Sequence, residues 1–227
     1  MNNFIINYNL LIWIGLILTI TSQIIVSSSY SKYKKKLNNK DLTGYDVARK
    51  ILDKNKLNDI IILETKGNLT DHYDPARKTI KLSTDIYHGS SIASLAVAAH
   101  ECGHAIQDKD GYKPMRIRSK IIPTVNICTR IGYLAIIVGA IFSYKLIEIG
   151  IILLLALLAF QIITLPVEFN ASKRALNELK TNRFLDKDEI KDAKNMLLAA
   201  AFTYVASMLS TLLEILRYAL IFADRDR

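Results

Sequence analysis

The chain has 227 residues, of which 51% are hydrophobic, and a formal charge of +9 at pH 7. This length allows one or two domains with a sizeable core. The basic residues flank apolar runs and are not interleaved with stacking aromatic residues. Their pattern therefore favours a membrane surface and excludes nucleic acid as a partner.

Three long stretches of the chain lack charged side chains. No charge precedes Lys32, and two further uncharged runs of 19 residues end at Glu168 and at Glu214. Runs of about 18 or more apolar residues can cross the ~30 Å core of a bilayer. The first run has neither the positive start nor the small-residue cleavage site of a signal peptide, so residues 1–29 are predicted to be a transmembrane anchor.

A polar stretch, residues 30–118, follows the anchor and carries most of the signals for soluble secondary structure. The elements predicted in it are an amphipathic helix over 42–57 with Thr43 as N-cap, a strand over 58–64, a half-buried or edge strand over 78–83, and a helix from Ser90 or Ser91 to Gly111. This stretch is predicted to be the first part of a cytoplasmic domain.

The remaining apolar segments determine the predicted topology. Residues 119–166 read as a transmembrane hairpin with a short loop, which returns the chain to the side it left. Residues 167–194 therefore share a compartment with 30–118, and both flanks are basic, as expected for the cytoplasmic side. The last segment, 195–227, is either a fourth crossing or an apolar helix packed on the domain, and the sequence leaves both open.

The segment AVAAHECGHAIQ places His100 and His104 four positions apart, with Glu101 between them. On a helix these two rings lie on one face, where both can reach one Zn²⁺ ion, and Glu101 can act as general base. The alternative is a structural helix whose histidines are satisfied by hydrogen bonds. Because the helix is apolar nearly all round, two imidazoles and a carboxylate would be buried in it, and a metal supplies a partner for all three.

A catalytic zinc needs a third protein ligand and one open position. After Gln107 the chain reads DKDGYK, so no third histidine stands at the metzincin spacing. The remaining candidate is Glu168, at the exit of the third apolar segment and on the predicted cytoplasmic face. The alternative for Glu168 is a residue that only marks the membrane boundary.

HECGH, a following membrane hairpin and EFNASKRA together resemble the gluzincin-type membrane metallopeptidases, and most closely the small bacterial YugP-type family of membrane zinc metallopeptidases. The resemblance extends over nearly the whole chain, including LTDHYDPARKTIKLS. It implies that His100, His104 and Glu168 bind one Zn²⁺ ion per chain and that Glu101 is the catalytic base. It also implies a multi-pass protein of the bacterial plasma membrane.

The resemblance further suggests that KTIKLS, with Ile80 and Leu82, is an edge strand that pairs with an extended substrate. The chain departs from related gluzincins at one point. They carry an acid four residues after the ligand glutamate, where it orients a ligand histidine, and this chain has Ser172 there. Either Asn170 or an acid from elsewhere in the chain takes over that role, or the zinc is held less firmly.

Hydrolysis also needs a hydrogen-bond donor near the scissile carbonyl. His72, Tyr73 and Tyr204 are candidates for this stabilisation of the transition state, and the alternative for each is ordinary packing.

The sequence thus predicts a multi-pass α-helical membrane protein with a small cytoplasmic α+β zincin-like domain of the gluzincin type. The predicted function is a zinc-dependent endopeptidase that hydrolyses peptide bonds through a zinc-activated water. Its partners would be the lipid bilayer and protein or peptide substrates, including membrane proteins. The alternative class is a catalytically inactive, metal-stabilised membrane scaffold that binds partner proteins.

Overall fold

The structure of the chain, a computed structural model, describes residues 2–67 and 69–225, with side chains from Tyr8 to Ile221. The outermost ends of the predicted anchor and of the C-terminal segment, at Met1 and at 226–227, lie outside the described residues. The described elements are α1 (Asn2–Lys34), α2 (Gly44–Lys54), β1 (Ile61–Thr65), β2 (His72–Asp74), β3 (Thr79–Ser83), α3 (Thr84–Tyr87), α4 (Ile92–Lys109), α5 (Lys113–Phe142), α6 (Tyr144–Thr181) and α7 (Lys187–Arg225).

The chain divides into two compact units. The first comprises the chain up to Ile24, Ile117–Leu165 and the chain from Phe202 onward, and the second comprises Ile25–Arg116 and Pro166–Ala201. The sequence placed the corresponding polar segments at 30–118 and 167–194. Each unit is held together by its own contacts and is described separately.

Within the described residues, four helices are long and apolar enough to cross a membrane. These candidate spans are Tyr8–Lys34, Lys113–Phe142, Tyr144–Thr181 and Lys187–Ile221. The sequence left open whether residues 195–227 cross the membrane. The described part of this segment belongs to a long helix whose length and composition suit a crossing.

The first unit packs through small and polar residues. A Cβ atom built on Gly150 would lie 2.7 Å from the carbonyl oxygen of Gly132, so α5 and α6 touch backbone to backbone. The Gln161 amide on α6 donates to the hydroxyls of Ser207 at 3.1 Å and Thr211 at 3.0 Å on α7. Close approach at small residues and hydrogen bonds between helices are the usual means by which helices associate in a bilayer.

In the second unit, local signals set the two helices that the sequence predicted. Thr43 caps α2 in a capping box with Asp46, since each residue's side chain accepts from the other's backbone N–H. Ser91 caps α4 through a hydrogen bond from the backbone N–H of Ser94, and Gly111 follows the helix with φ of +67°. Both predicted helices are confirmed.

The three strands of this unit form one sheet in the order β1-β3-β2. Strand β1 pairs parallel with β3, and β2 pairs antiparallel with it. The prediction that 78–83 is an edge strand is therefore wrong, because β3 has a partner on each side. Ile80 and Leu82 are fully buried in the core, so they do not face a substrate. Of the strands described, β2 and β1 form the two edges.

Helix α4 is buried on most sides and contacts α2, α3 and the sheet. It comes close to another backbone at Gly103, where an added Cβ atom would lie 2.5 Å from the carbonyl oxygen of Ala171 on α6. Only a residue without a side chain fits there. The glycine, which costs a helix about 1 kcal/mol relative to alanine, is thus explained by the contact between α4 and α6.

We expect Gly103→Ala to destabilise the second unit, although alanine is the better helix former, because the new methyl group meets backbone atoms that cannot rotate away. Thermal unfolding in detergent should show a lower midpoint for the variant. Since the nearest atoms belong to the backbone of Ala171, adding Ala171→Gly should not restore stability. A Gly103→Ala protein as stable as the wild type would contradict the close helix contact.

Candidate metal centre

Helix α4 presents His100 and His104 on one face, and α6 brings Glu168 against them. The Oε2 atom of Glu168 lies 3.2 Å from Nε2 of His100 and 3.7 Å from Nε2 of His104. The two imidazole rings are 4.8 Å apart and meet edge to face at 85°. Glu168 and His104 are buried, and His100 is partly buried. The structure therefore brings together the three residues that the sequence singled out as ligands.

The spacing of these donor atoms fits a small tetrahedral cation. Two ligands of a tetrahedral Zn²⁺ ion, each at ~2.1 Å from the metal, are about 3.4 Å apart. The observed separations between Glu168 and the two histidines, 3.2 and 3.7 Å, lie on either side of that value, and the donor atoms of all three residues lie within 4.8 Å of one another. Two imidazole nitrogens and one carboxylate also match the three protein ligands of a catalytic zinc site, which leaves one position open.

The hydrogen bonds of Gln107 supply an independent test of this fit. Its side-chain amide nitrogen donates to the carbonyl oxygen of Val167 at 2.8 Å and to Oδ1 of Asn170 at 3.0 Å. Its amide oxygen must then face Nδ1 of His104, 3.0 Å away, and that ring nitrogen must carry the proton. A neutral His104 consequently turns a lone pair of Nε2 toward the Glu168 carboxylate. A cation between the two would satisfy both groups.

The outer nitrogens of both histidines thus have hydrogen-bond partners, as ligand histidines usually do. Nδ1 of His100 lies 3.2 Å from the hydroxyl of Ser172, which stands four residues after Glu168. His104 is held by Gln107 instead. Asn170, the other residue considered for this role, acts one step farther away, since its Oδ1 atom accepts from Gln107 and from Nε of Arg174.

Sequence reasoning missed Gln107. A signal was available, because Gln107 stands three residues after His104 and so lies on the helix face that carries both histidines. Gln107 is completely buried, and a buried amide must find partners. Those partners include the backbone of α6, so one side chain orients a histidine and also ties α4 to the helix that carries Glu168.

Glu101 is buried beside the three candidate ligands. Its burial raises the pKa of the carboxyl to about 7, and the nearby charges of Glu168 and Asp71 act in the same direction. His100 and the backbone N–H of Tyr73 on β2 oppose this rise. A divalent cation at the site would favour the ionised form of Glu101 and lower that pKa.

The three candidates for transition-state stabilisation have different surroundings. His72 is exposed on β2, with Nδ1 2.8 Å from the carbonyl oxygen of Thr70. The hydroxyl of Tyr73 donates to Asp108 at 3.0 Å, so this residue faces Glu101 with its backbone and not with its hydroxyl. Tyr204 lies on α7 in the first unit. All three therefore stay predictions for this role.

Comparison with known proteins assigns the family. A family described as "Putative neutral zinc metallopeptidase" matches residues 8–223 of the chain. The chain belongs to this family. A relative from Bacillus subtilis (strain 168), described as "Putative membrane protease YugP", is 43% identical over 208 residues, which cover 91% of this chain and 92% of the relative. No solved structure matches the chain. Membership of a zinc peptidase family implies zinc as the metal, in agreement with the donor atoms.

We expect the hydroxyl of Ser172 to set part of the zinc affinity. Replacing it by an acid, as in Ser172→Asp, should tighten zinc binding because a carboxylate accepts more strongly from an imidazole N–H, whereas Ser172→Ala should weaken it. Changes at such outer positions typically alter metal affinity by about 10- to 100-fold. Competition against a chromophoric chelator measures the effect.

The matched control for Ser172→Asp is Asn177→Asp, which adds the same charge at an exposed position of the same helix. It should leave zinc affinity unchanged. An equal gain in both variants would indicate a general effect of charge and would contradict a specific role of residue 172.

Proposed function

We propose that this protein is a membrane-embedded, zinc-dependent endopeptidase whose active site faces the cytoplasm. The observation that carries the proposal is the meeting of His100, His104 and Glu168 around one point, with the carboxylate of Glu101 buried beside them. A purely structural zinc site has no use for such a base and is normally closed by a fourth protein ligand. The family and the relative from Bacillus subtilis support the same class of reaction.

In this proposal His100, His104 and Glu168 hold the ion, and Ser172 and Gln107 fix the orientation of the rings. Bound zinc supplies a Lewis acid and makes water a strong nucleophile near neutral pH. Glu101 accepts the proton of the attacking water and delivers it to the leaving amine. The buried position of Glu101 keeps bulk water away from that proton.

Strand β2 is the edge of the sheet nearest to Glu101, since the backbone N–H of Tyr73 reaches the Glu101 carboxylate. An extended peptide that added to this edge would run past the base and the metal. Backbone pairing at a sheet edge binds peptides with little dependence on their side chains. We therefore assign the pairing role, which the sequence had suggested for 78–83, to β2. Protein segments close to the membrane are the substrates that such a site would meet.

The central prediction concerns Glu101→Gln. The variant should keep stoichiometric zinc, because the three ligands are untouched, and should lose peptide hydrolysis, because an amide cannot accept the proton. Zinc content by metal analysis and cleavage of unfolded casein by the purified protein are the two measurements. Removing zinc with a chelator should abolish the wild-type activity, and adding zinc should restore it.

Glu64→Gln is the matched control, since Glu64 is exposed on β1. It should retain both zinc and activity. An inactive scaffold, the alternative class, would show no hydrolysis in the wild type and would tolerate Glu101→Gln. A wild-type protein that binds no stoichiometric metal would overturn the enzyme proposal altogether.

The proposed orientation can be tested by labelling with cysteine. Lys66→Cys lies at an exposed position of the second unit, and Lys145→Cys lies at an exposed position in the first turn of α6, next to its junction with α5. In a Cys128→Ser background, a membrane-impermeant maleimide should label Lys145→Cys in intact cells and should label Lys66→Cys only after lysis. The reverse pattern would place the site outside the cytoplasm.

A further inference from the structure

The second unit contains a cavity that borders the candidate metal centre at Ser172 and is otherwise lined by residues to which the proposed chemistry gives no role. It has a volume of about 240 Å³ and lies between the parts of α6 and α7 that belong to this unit. Its apolar walls include Phe169, Leu176, Leu197 and Leu198. Phe169 and Leu198 are 43% and 48% exposed, so apolar side chains line the opening of the cavity. These apolar walls offer few hydrogen-bond partners to water and suit an apolar occupant.

Two lysines, Lys173 on α6 and Lys194 on α7, also line this cavity. Both are exposed, and neither forms an ion pair with any residue in the part of the chain that the structure describes. No acidic residue stands three or four positions away from either lysine on its helix. The border of an apolar cavity therefore carries two positive charges without local compensation.

The positions of these lysines in the sequence relate them to a membrane surface. Lys173 is the first cation after the uncharged run that ends at Glu168, and Lys194 is the last cation before the run that ends at Glu214. Basic residues that flank membrane-spanning segments lie at the level of the lipid headgroups, where anionic lipids attract them. Two separate runs thus place their flanking cations at one cavity.

We propose that this cavity binds an anionic phospholipid, with an acyl chain between α6 and α7 and the phosphate at Lys173 and Lys194. The observations favour a lipid over an apolar side chain of a substrate, because a peptide side chain would leave both ammonium groups without a counter-charge. The proposal does not rest on peptidase activity. The site would be occupied equally in a protein that lacks zinc.

The full-length protein, purified in a neutral detergent, can be titrated with phosphatidylglycerol or phosphatidylcholine and the bound lipid counted by native mass spectrometry. We expect one phosphatidylglycerol molecule to bind in preference to phosphatidylcholine. The double variant K173Q/K194Q should weaken that binding by about 25-fold, since each lysine near a headgroup contributes about a fivefold effect. The control K180Q/K191Q removes two exposed lysines from the same helices, outside the cavity, and should bind like the wild type.

A second variant tests the acyl-chain part of the proposal without changing charge. Ala201 lines the cavity, and Ala201→Leu should fill part of it and weaken phosphatidylglycerol binding, whereas glycerol phosphate, which has no acyl chain, should not bind to any form of the protein. Equal losses in K173Q/K194Q and K180Q/K191Q would overturn the proposal in favour of general surface charge. Unchanged phosphatidylglycerol binding in Ala201→Leu would also overturn the proposal, whether or not the cleavage preference of the variant changed. The cavity would then be assigned to a side chain of the substrate.

Discussion

The contact between α4 and α6 at Gly103 and Ala171 is the constraint on which the rest of the candidate site depends. Two histidines on one helix can hold a metal only weakly, and the third donor comes from a residue 64 positions later in the chain than His104. The carboxylate of Glu168 can meet both imidazoles only if the two helix backbones come within van der Waals contact. A single absent side chain makes that approach possible.

Around this contact, hydrogen bonds fix the orientation of the side chains that it brings together. Gln107 accepts from His104 and donates to two groups on α6, and Arg174 extends the same network to Asp110 with a bond of 2.6 Å. A buried polar network of this kind is stabilising only when every member is satisfied. The apolar surroundings that make the network necessary also strengthen it, because little water is present to compete.

The parts of the fold and of the candidate site that could be predicted from sequence are those set by residues close together in the chain. The caps at Thr43 and Ser91 and the histidine pair of α4 depend on residues three or four positions apart, so their geometry follows from helix periodicity. Glu168 could be chosen only by eliminating other donors and by following the chain through the predicted membrane hairpin. The position of β3 could not be predicted, because alternating polar and apolar residues suit a central strand of a small sheet as well as an edge. Gln107 was missed because an amide has no fixed role until its partners are known.

The amide of Gln107 also limits how this protein can change. The position needs an acceptor toward His104 and donors toward Val167 and Asn170, at a single chain length. Glutamate offers no donor, leucine offers neither, and asparagine is one carbon too short. In the genetic code, a single-base change that replaces glutamine leads to Glu, Lys, His, Arg, Leu, Pro or a stop, and none of these is an amide. No amino acid one base away can therefore take over the role of Gln107, and the position is expected to admit almost no natural variation while the site is in use.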